Sequence, residues 1–267
     1  VPKREDVLRT VQNLRLIDDN FFNVCFHENI ECTELLLHII LGRSDLKVIR
    51  VSTQEDLPNL RGRSVRLDAY AEDSQGRKYN IEVQRKDRGA NARRARYNSS
   101  LIDAHLLEHG EECQNLPDTY VIFITEKDFF RRGLPIYSFH RTCEETDIHL
   151  EDGSHIIYVN GAYQGESPIG MLMSDFRARE PEKIHYSALQ KQVYYFKKTS
   201  EGVERMCAEV ERLNDIAREE GRNQGRNEGA RETAKNMLSK GFTVEIAAEC
   251  TGLPIAEIKA IAESMKH

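Results

Sequence analysis

Two short runs of alternating residues face each other across a polar turn between Val65 and Arg88. This stretch, VRLDAYAEDSQGRKYNIEVQRKDR, restricts the fold more than any other. Alternation with period two marks a half-buried strand, and two such runs around turn formers read as a β-hairpin. In the first run Val65, Leu67, Ala69 and Ala71 share one face, and Arg66, Asp68, Tyr70 and Glu72 share the other. In the second, Tyr79, Ile81 and Val83 are the apolar set, and Lys78, Asn80, Glu82 and Gln84 the polar set. Asp73 to Arg77 supplies turn formers and a glycine, Gly76, that accepts positive φ. Pairing Glu72 with Lys78 places Asp68 across from Glu82 and Arg66 across from Gln84. A slip by one residue would send the apolar sets to opposite faces, which fixes the parity of the register.

Two carboxylates opposite each other on a sheet repel. A divalent cation offsets that repulsion, and Mg²⁺ takes one or two carboxylates together with water and phosphate oxygens. The plain alternative is an outer face with its charges in water. The residues next in the chain favour the cation. From Arg85 to Arg96 there are six basic residues (Arg85, Lys86, Arg88, Arg93, Arg94, Arg96) against Asp87 alone, and Arg61, Arg63 and Arg66 add to them. The net charge of −6 argues against a general nucleic-acid coat. A local basic stripe beside paired carboxylates suits a phosphodiester held by cations. Without those carboxylates it would read as a solvated Arg-rich helix face.

An Asp in the first strand and Glu-x-Gln closing the second, followed by a helix reading Arg93-Arg94-Ala95-Arg96-Tyr97, resembles the PD-(D/E)XK nuclease superfamily. The likeness is to its recombination-promoting nuclease and transposase branch, and runs from Asp19 to the C-terminus, including the repetitive tail. Leu67 stands where the pattern has Pro, and Gln84 where it has Lys. The resemblance implies an α/β fold, a restriction-endonuclease-like mixed central sheet flanked by helices, with a helical C-terminal extension. It implies a Mg²⁺-dependent DNA endonuclease associated with recombination or transposition, with Mn²⁺ as a substitute ion. Asp68 and Glu82 would hold the metal, with the Val83 carbonyl as a further ligand, and Gln84 would complete the catalytic set by orienting water or a phosphate oxygen. Arg85, Lys86, Arg93, Arg94 and Tyr97 would meet the nucleic acid. Glu34 is the candidate for the additional acid that some members place on a helix. Rival readings are an inactive nuclease-fold DNA-binding or interaction module, and an RNA nuclease.

The remaining chain fits this frame. With 39% apolar and 31% charged residues it can bury a core. No apolar run is long enough for a transmembrane helix, and VPKREDVLRT lacks the apolar core of a signal peptide. The scattered Cys25, Cys32, Cys113, Cys143, Cys207 and Cys250 form no CxxC, so a reduced, cytoplasmic protein is expected. Residues 32–41 read as a helix ended by Gly42, 46–51 as a strand, 52–62 as a loop, 90–108 as a helix and 120–125 as a buried strand. Further strands are expected at 136–141 and 147–160, turning at Glu151-Asp152-Gly153. His105 and His109 lie four apart without a third ligand, and His149 and His155 flank a turn; all read as ordinary surface or strand residues. The divisions expected are a core at 15–165, a helical extension at 166–240 and a helix-turn-helix-like element at 241–267. In the extension Gly221, Gly225 and Gly229 recur every four residues. They line one side of a helix open to close approach, and so to a homo-oligomer, or else mark a flexible linker. The second helix of the last element begins Pro254-Ile255-Ala256-Glu257, which lacks the base-reading side chains of a DNA-binding version.

Overall fold

The computed structural model describes residues 4–59, 62–107 and 110–265. Arg61, His109 and the side chain of Arg88 lie outside the described residues. Among the rest, six strands form one sheet: β1 (Val48–Leu57), β2 (Val65–Asp73), β3 (Lys78–Gln84), β4 (Thr119–Thr125), β5 (Ile136–Phe139) and β6 (Ser154–Asn160). Their order is β1-β2-β3-β4-β6-β5. The β3–β4 and β4–β6 pairs are parallel and the others antiparallel.

The hairpin forms in the expected register, with Glu72 on Lys78 and Ala69 on Ile81. Its turn is pinned by Asp73, whose fully buried carboxylate accepts from the backbone N–H of Gln75 and Arg77, from Arg77 Nε (2.6 Å) and from Tyr79 Oη (2.7 Å). Gly76 takes φ 81° there, a conformation that side chains with a Cβ disfavour. The strand before it is longer than its sequence suggests. Residues 52–57 extend β1 rather than forming a loop, because they pair with β2 as far as Leu57 on Val65. Arg66 bonds Asp56 across that pair (2.8 Å). The β5–β6 region also differs. The strands stop at Phe139 and resume at Ser154, and the intervening chain turns at residues 143–147, not at 151–153.

Helix α1 (Arg4–Asn13) leads into α2 (Asp19–Phe26) and α3 (Ile30–Leu41). Asn29 caps α3 by accepting from Cys32 N, and Gly42 closes it in the left-handed region. Between β3 and β4 runs α4 (Ala92–Leu106), capped by Asn91, with Ala95, Asn98, Ser99, Leu101 and Ile102 buried. After the sheet come α5 (Pro168–Arg177) and α6 (Ser187–Lys198). Phe22 stacks on Phe26 at 4.2 Å between ring centroids, and both pack on Phe176 of α5. Each such buried side chain contributes about 1.5–3 kcal/mol. Lys197 of α6 is buried, donates to the carbonyls of Gln12, Leu14 and Arg179, and has its pKa lowered to about 8 by desolvation. It thereby fixes the chain just ahead of α2.

The chain divides into two compact units, 1–206 and 207–267. The long helix α7 (Ser200–Ser239) carries the period-four glycines in continuous helix, and a Cβ built on any of them would meet nothing within 4 Å. In the second unit α8 (Val244–Thr251) and α9 (Ile255–Ser264) fold on the end of α7 around Ala234, Ala247, Ile258 and Ile261. Among the described residues no helix is long and apolar enough to cross a membrane.

Candidate functional site

The β2–β3 ladder ends at Ala69 and Ile81, although β2 begins at Val65 and β3 continues to Gln84. Beyond that point β3 pairs only with β4. In place of the missing backbone bond, Asp68 Oδ2 accepts from Val83 N at 3.1 Å. The strands splay just where the two carboxylates sit. Glu82 and Asn80 are fully buried, so this part of the polar hairpin face is not a solvated one: α4 covers it, while Asp68 and Gln84 beside it are half-buried. Arg94 Nη2 donates to Glu82 Oε2 (2.6 Å) and Asn98 Nδ2 to Oε1 (3.4 Å).

Burial dominates the electrostatics. The pKa of Asp68 is raised well above the carboxylate range, first by desolvation and then by the charges of Glu82 and Asp19. That of Glu82 is also raised, by desolvation, against the lowering charge of Arg94. Asp19, the first residue of α2, is raised by desolvation while interacting with Asp68, and its Oδ1 accepts from Asn23 Nδ2 at 3.0 Å. A third acid therefore adjoins the pair, and it is Asp19, not Glu34. The Glu34 carboxylate accepts from Val48 N (2.9 Å) and faces Lys47, holding α3 to the start of β1.

The donor set fits a hard divalent cation. Two carboxylates whose charged forms are disfavoured by burial gain from a nearby positive charge. The buried Asn23 Oδ1 and Asn98 Oδ1, on either side of the acids, have no hydrogen-bond partner among the described residues. No group of three or more His, Cys, Asp or Glu side chains among those residues is arranged to hold a metal ion. Mg²⁺ is usually bound by one or two carboxylates plus water and phosphate rather than by a protein cage. His105 bonds the Leu101 carbonyl through Nδ1.

Gln84 is half-buried against the turn after β3. A Cβ on Gly89 would lie 1.7 Å from Gln84 Oε1, so glycine there leaves the room the amide occupies. Gly89 O also accepts from Arg94 Nη1 (3.3 Å).

The expected nucleic-acid residues separate into two groups. Arg85 is held by Asp18 (3.0 Å) and Glu126 (3.4 Å), and Arg94 by Glu82. Tyr97 donates to the Arg63 carbonyl and accepts from Asn59 Nδ2, so it clasps the β1–β2 connection to α4. Lys86 and Arg93 are exposed and make no ion pair among the described residues. Arg93 opens with Arg63, Arg66, Arg94 and Arg96 onto a trough of about 1090 Å³ that no acidic side chain lines among the described residues. Asp19, Gly89 and Asn98 do not stand out in the sequence. The signal for Asp19 is an Asp18-Asp19 pair opening a helix, a place where an acid commonly serves as a cap.

The family model of the PD-(D/E)XK nuclease family transposase matches residues 27–163, just over half the chain. The chain belongs to this family. The matched segment carries Asp68, Glu82 and Gln84, and the mixed sheet with flanking helices is the fold expected of a PD-(D/E)XK protein. Nucleases of this kind generally use divalent metal ions. Neither the curated proteins nor the solved structures yield a match.

Proposed function

We propose that this PD-(D/E)XK protein is a divalent-metal-dependent endonuclease that hydrolyses DNA phosphodiester bonds during recombination or transposition. The observation that carries the reading is the pairing of half-buried Asp68 with fully buried Glu82 at the splayed end of the hairpin, beside an arginine-lined trough. Asp68 and Glu82 would hold Mg²⁺ or Mn²⁺, with the Val83 carbonyl as a further ligand. A cation held there polarises a phosphoryl oxygen and lowers the pKa of water.

The chain's own residues supply the rest. Arg63, Arg93 and Arg96 would neutralise backbone phosphates along the trough. A phosphate on its floor would compete with Glu82 for Arg94, bringing that guanidinium to the charge that develops on the phosphoryl oxygens. Gln84 would position water or a phosphate oxygen through its amide.

Changing Arg93 and Arg96 together to Ala should weaken DNA binding and reduce the slope of log K against log salt by about 0.9 per lost duplex phosphate contact. Fluorescence anisotropy across a salt series reads this, and an unchanged slope would leave the trough a solvated face. Parallel DNA and RNA duplexes incubated with Mg²⁺ test the substrate. Cleavage of DNA is expected, and cleavage of RNA alone would contradict the proposal. A second reading, DNA binding without cleavage, draws on Gln84 in place of Lys.

A further inference from the structure

Strand β5 closes the sheet on one side, and its outer edge is unpaired among the described residues. The inner edge is fixed by backbone bonds. Asn160 N donates to Pro135 O, and beyond the strand Leu150 N donates to Arg141 O and Cys143 N to Ile148 O, each at 2.9 Å. Odd-numbered residues thus face the returning chain. The even-numbered Ile136, Ser138, His140 and Thr142 turn their N–H and C=O groups outward, as antiparallel pairing requires. The chain past Phe139 continues the hairpin as an arm, bridged at Thr142 and His149 and turned where Asp147 N donates to Cys143 O.

The two sheet edges are built differently. Strand β1 carries a register shift between Val48 and Arg50, and Arg50, Glu55 and Asp56 along its length, devices that keep an edge from pairing with another chain. Strand β5 has no register shift, and Ile136-Tyr137-Ser138-Phe139 has no charge. Exposed apolar side chains surround it: Leu134 (53%), Phe139 (43%), Ile148 (65%) and Leu150 (63%).

Charge identifies the strand that fits. Arg131 and Arg132, just before β5, are exposed and make no ion pair among the described residues. Glu144, Glu145 and Asp147 at the tip of the arm are exposed and equally without one. We propose that β5 pairs antiparallel, about a two-fold axis, with β5 of a second copy of this chain. Pairing centred on Ser138 joins outward-facing residues to outward-facing residues. It sets Ile136 against the partner's His140 and brings Arg131 and Arg132, ahead of the strand, toward the partner's arm tip with its acidic side chains, and the two-fold repeats both contacts at the other end of the seam. The basic end of each strand meets the acidic end of its mate.

Sedimentation of the full-length chain across micromolar concentrations tests this. The wild type should reach twice the chain mass. Arg131→Glu with Arg132→Glu, and separately Glu144→Arg with Glu145→Arg, should each raise the dissociation constant at least about tenfold, because like charges then face each other. An equimolar mixture of the two variants should recover the dimer. Hydrogen exchange on the wild type adds a readout independent of variants: the amides of Ser138, His140 and Thr142 should gain protection as concentration rises. A wild type monomeric throughout, a dimer surviving either reversal, or a mixture that stays monomeric would overturn the proposal. A surviving dimer would point to an interface elsewhere, such as the glycine face of α7.

Discussion

Replacing Asp68 with Asn should raise the melting temperature of the EDTA-treated protein at pH 8 and abolish its stabilisation by Mn²⁺. Asp68 and Glu82 both have folded-state pKa values above the ordinary carboxylate range, by desolvation and, at Asp68, by the neighbouring acids. The folded chain therefore binds these protons more tightly than the unfolded chain does. The stability this provides is full below the unfolded pKa near 4 and is lost as pH rises through the raised values. As pH rises through those values both groups become charged and their repulsion grows. Asn removes one charge, yet its amide oxygen still accepts from Val83 N–H. A gain of about 1–2 kcal/mol at pH 8 corresponds to a few degrees for a chain of this size, and it should shrink toward pH 5. Mn²⁺ at 100 times its dissociation constant should stabilise the wild type by about 2.7 kcal/mol and the variant hardly at all. Equal response of both proteins to Mn²⁺ in differential scanning calorimetry would remove Asp68 from the metal site.

Gln84→Ala should slow cleavage by about 10²–10³, the cost of one preorganised transition-state hydrogen bond, and leave Mn²⁺ affinity nearly intact. An amide donates and accepts hydrogen bonds but carries no charge and takes no proton at these pH values. The pH–rate profile should therefore lack a limb from a lysine base. Gly89→Ala should imitate the effect, because the new Cβ would meet the Gln84 amide oxygen at 1.7 Å and displace it. The double variant should be no slower than Gln84→Ala, since both changes remove one placement. Single-turnover kinetics would identify Gln84 as a bystander if Gln84→Ala cleaves as fast as the parent.

The hairpin register is legible in the sequence because period-two alternation admits one parity and the turn residues select the pairing. The burial of its polar face is not. Asn80 and Glu82 look like solvent-facing residues until α4 lies over them, and nothing local in the sequence states that packing. The strand at 52–57 is hidden for a similar reason: STQEDL has no apolar alternation, and pairing with β2 overrides its weak propensity. Glu34 and Asp19 are both acids on early helices, and only the packing of α2 against the hairpin decides which reaches Asp68. The arginines are legible as a stripe, but not their division into Arg85 and Arg94, held by acids, and Arg93 and Arg96, facing the trough. In α7 the glycine repeat leaves helix and linker equally open. Side-chain pairs such as Gln224 to Glu228 and Arg218 to Asp215 support the helix at short range.

Supercoiled plasmid incubated with Mg²⁺, with Mn²⁺ or with EDTA, using wild type and Asp68→Ala, tests the central claim most directly. The expected result is nicked or linear DNA with either ion, none with EDTA, and none with the variant under any condition. DNA cut equally by wild type and Asp68→Ala, or plasmid left intact by a wild type that binds both DNA and Mn²⁺, would contradict a metal-dependent nuclease built on Asp68 and Glu82.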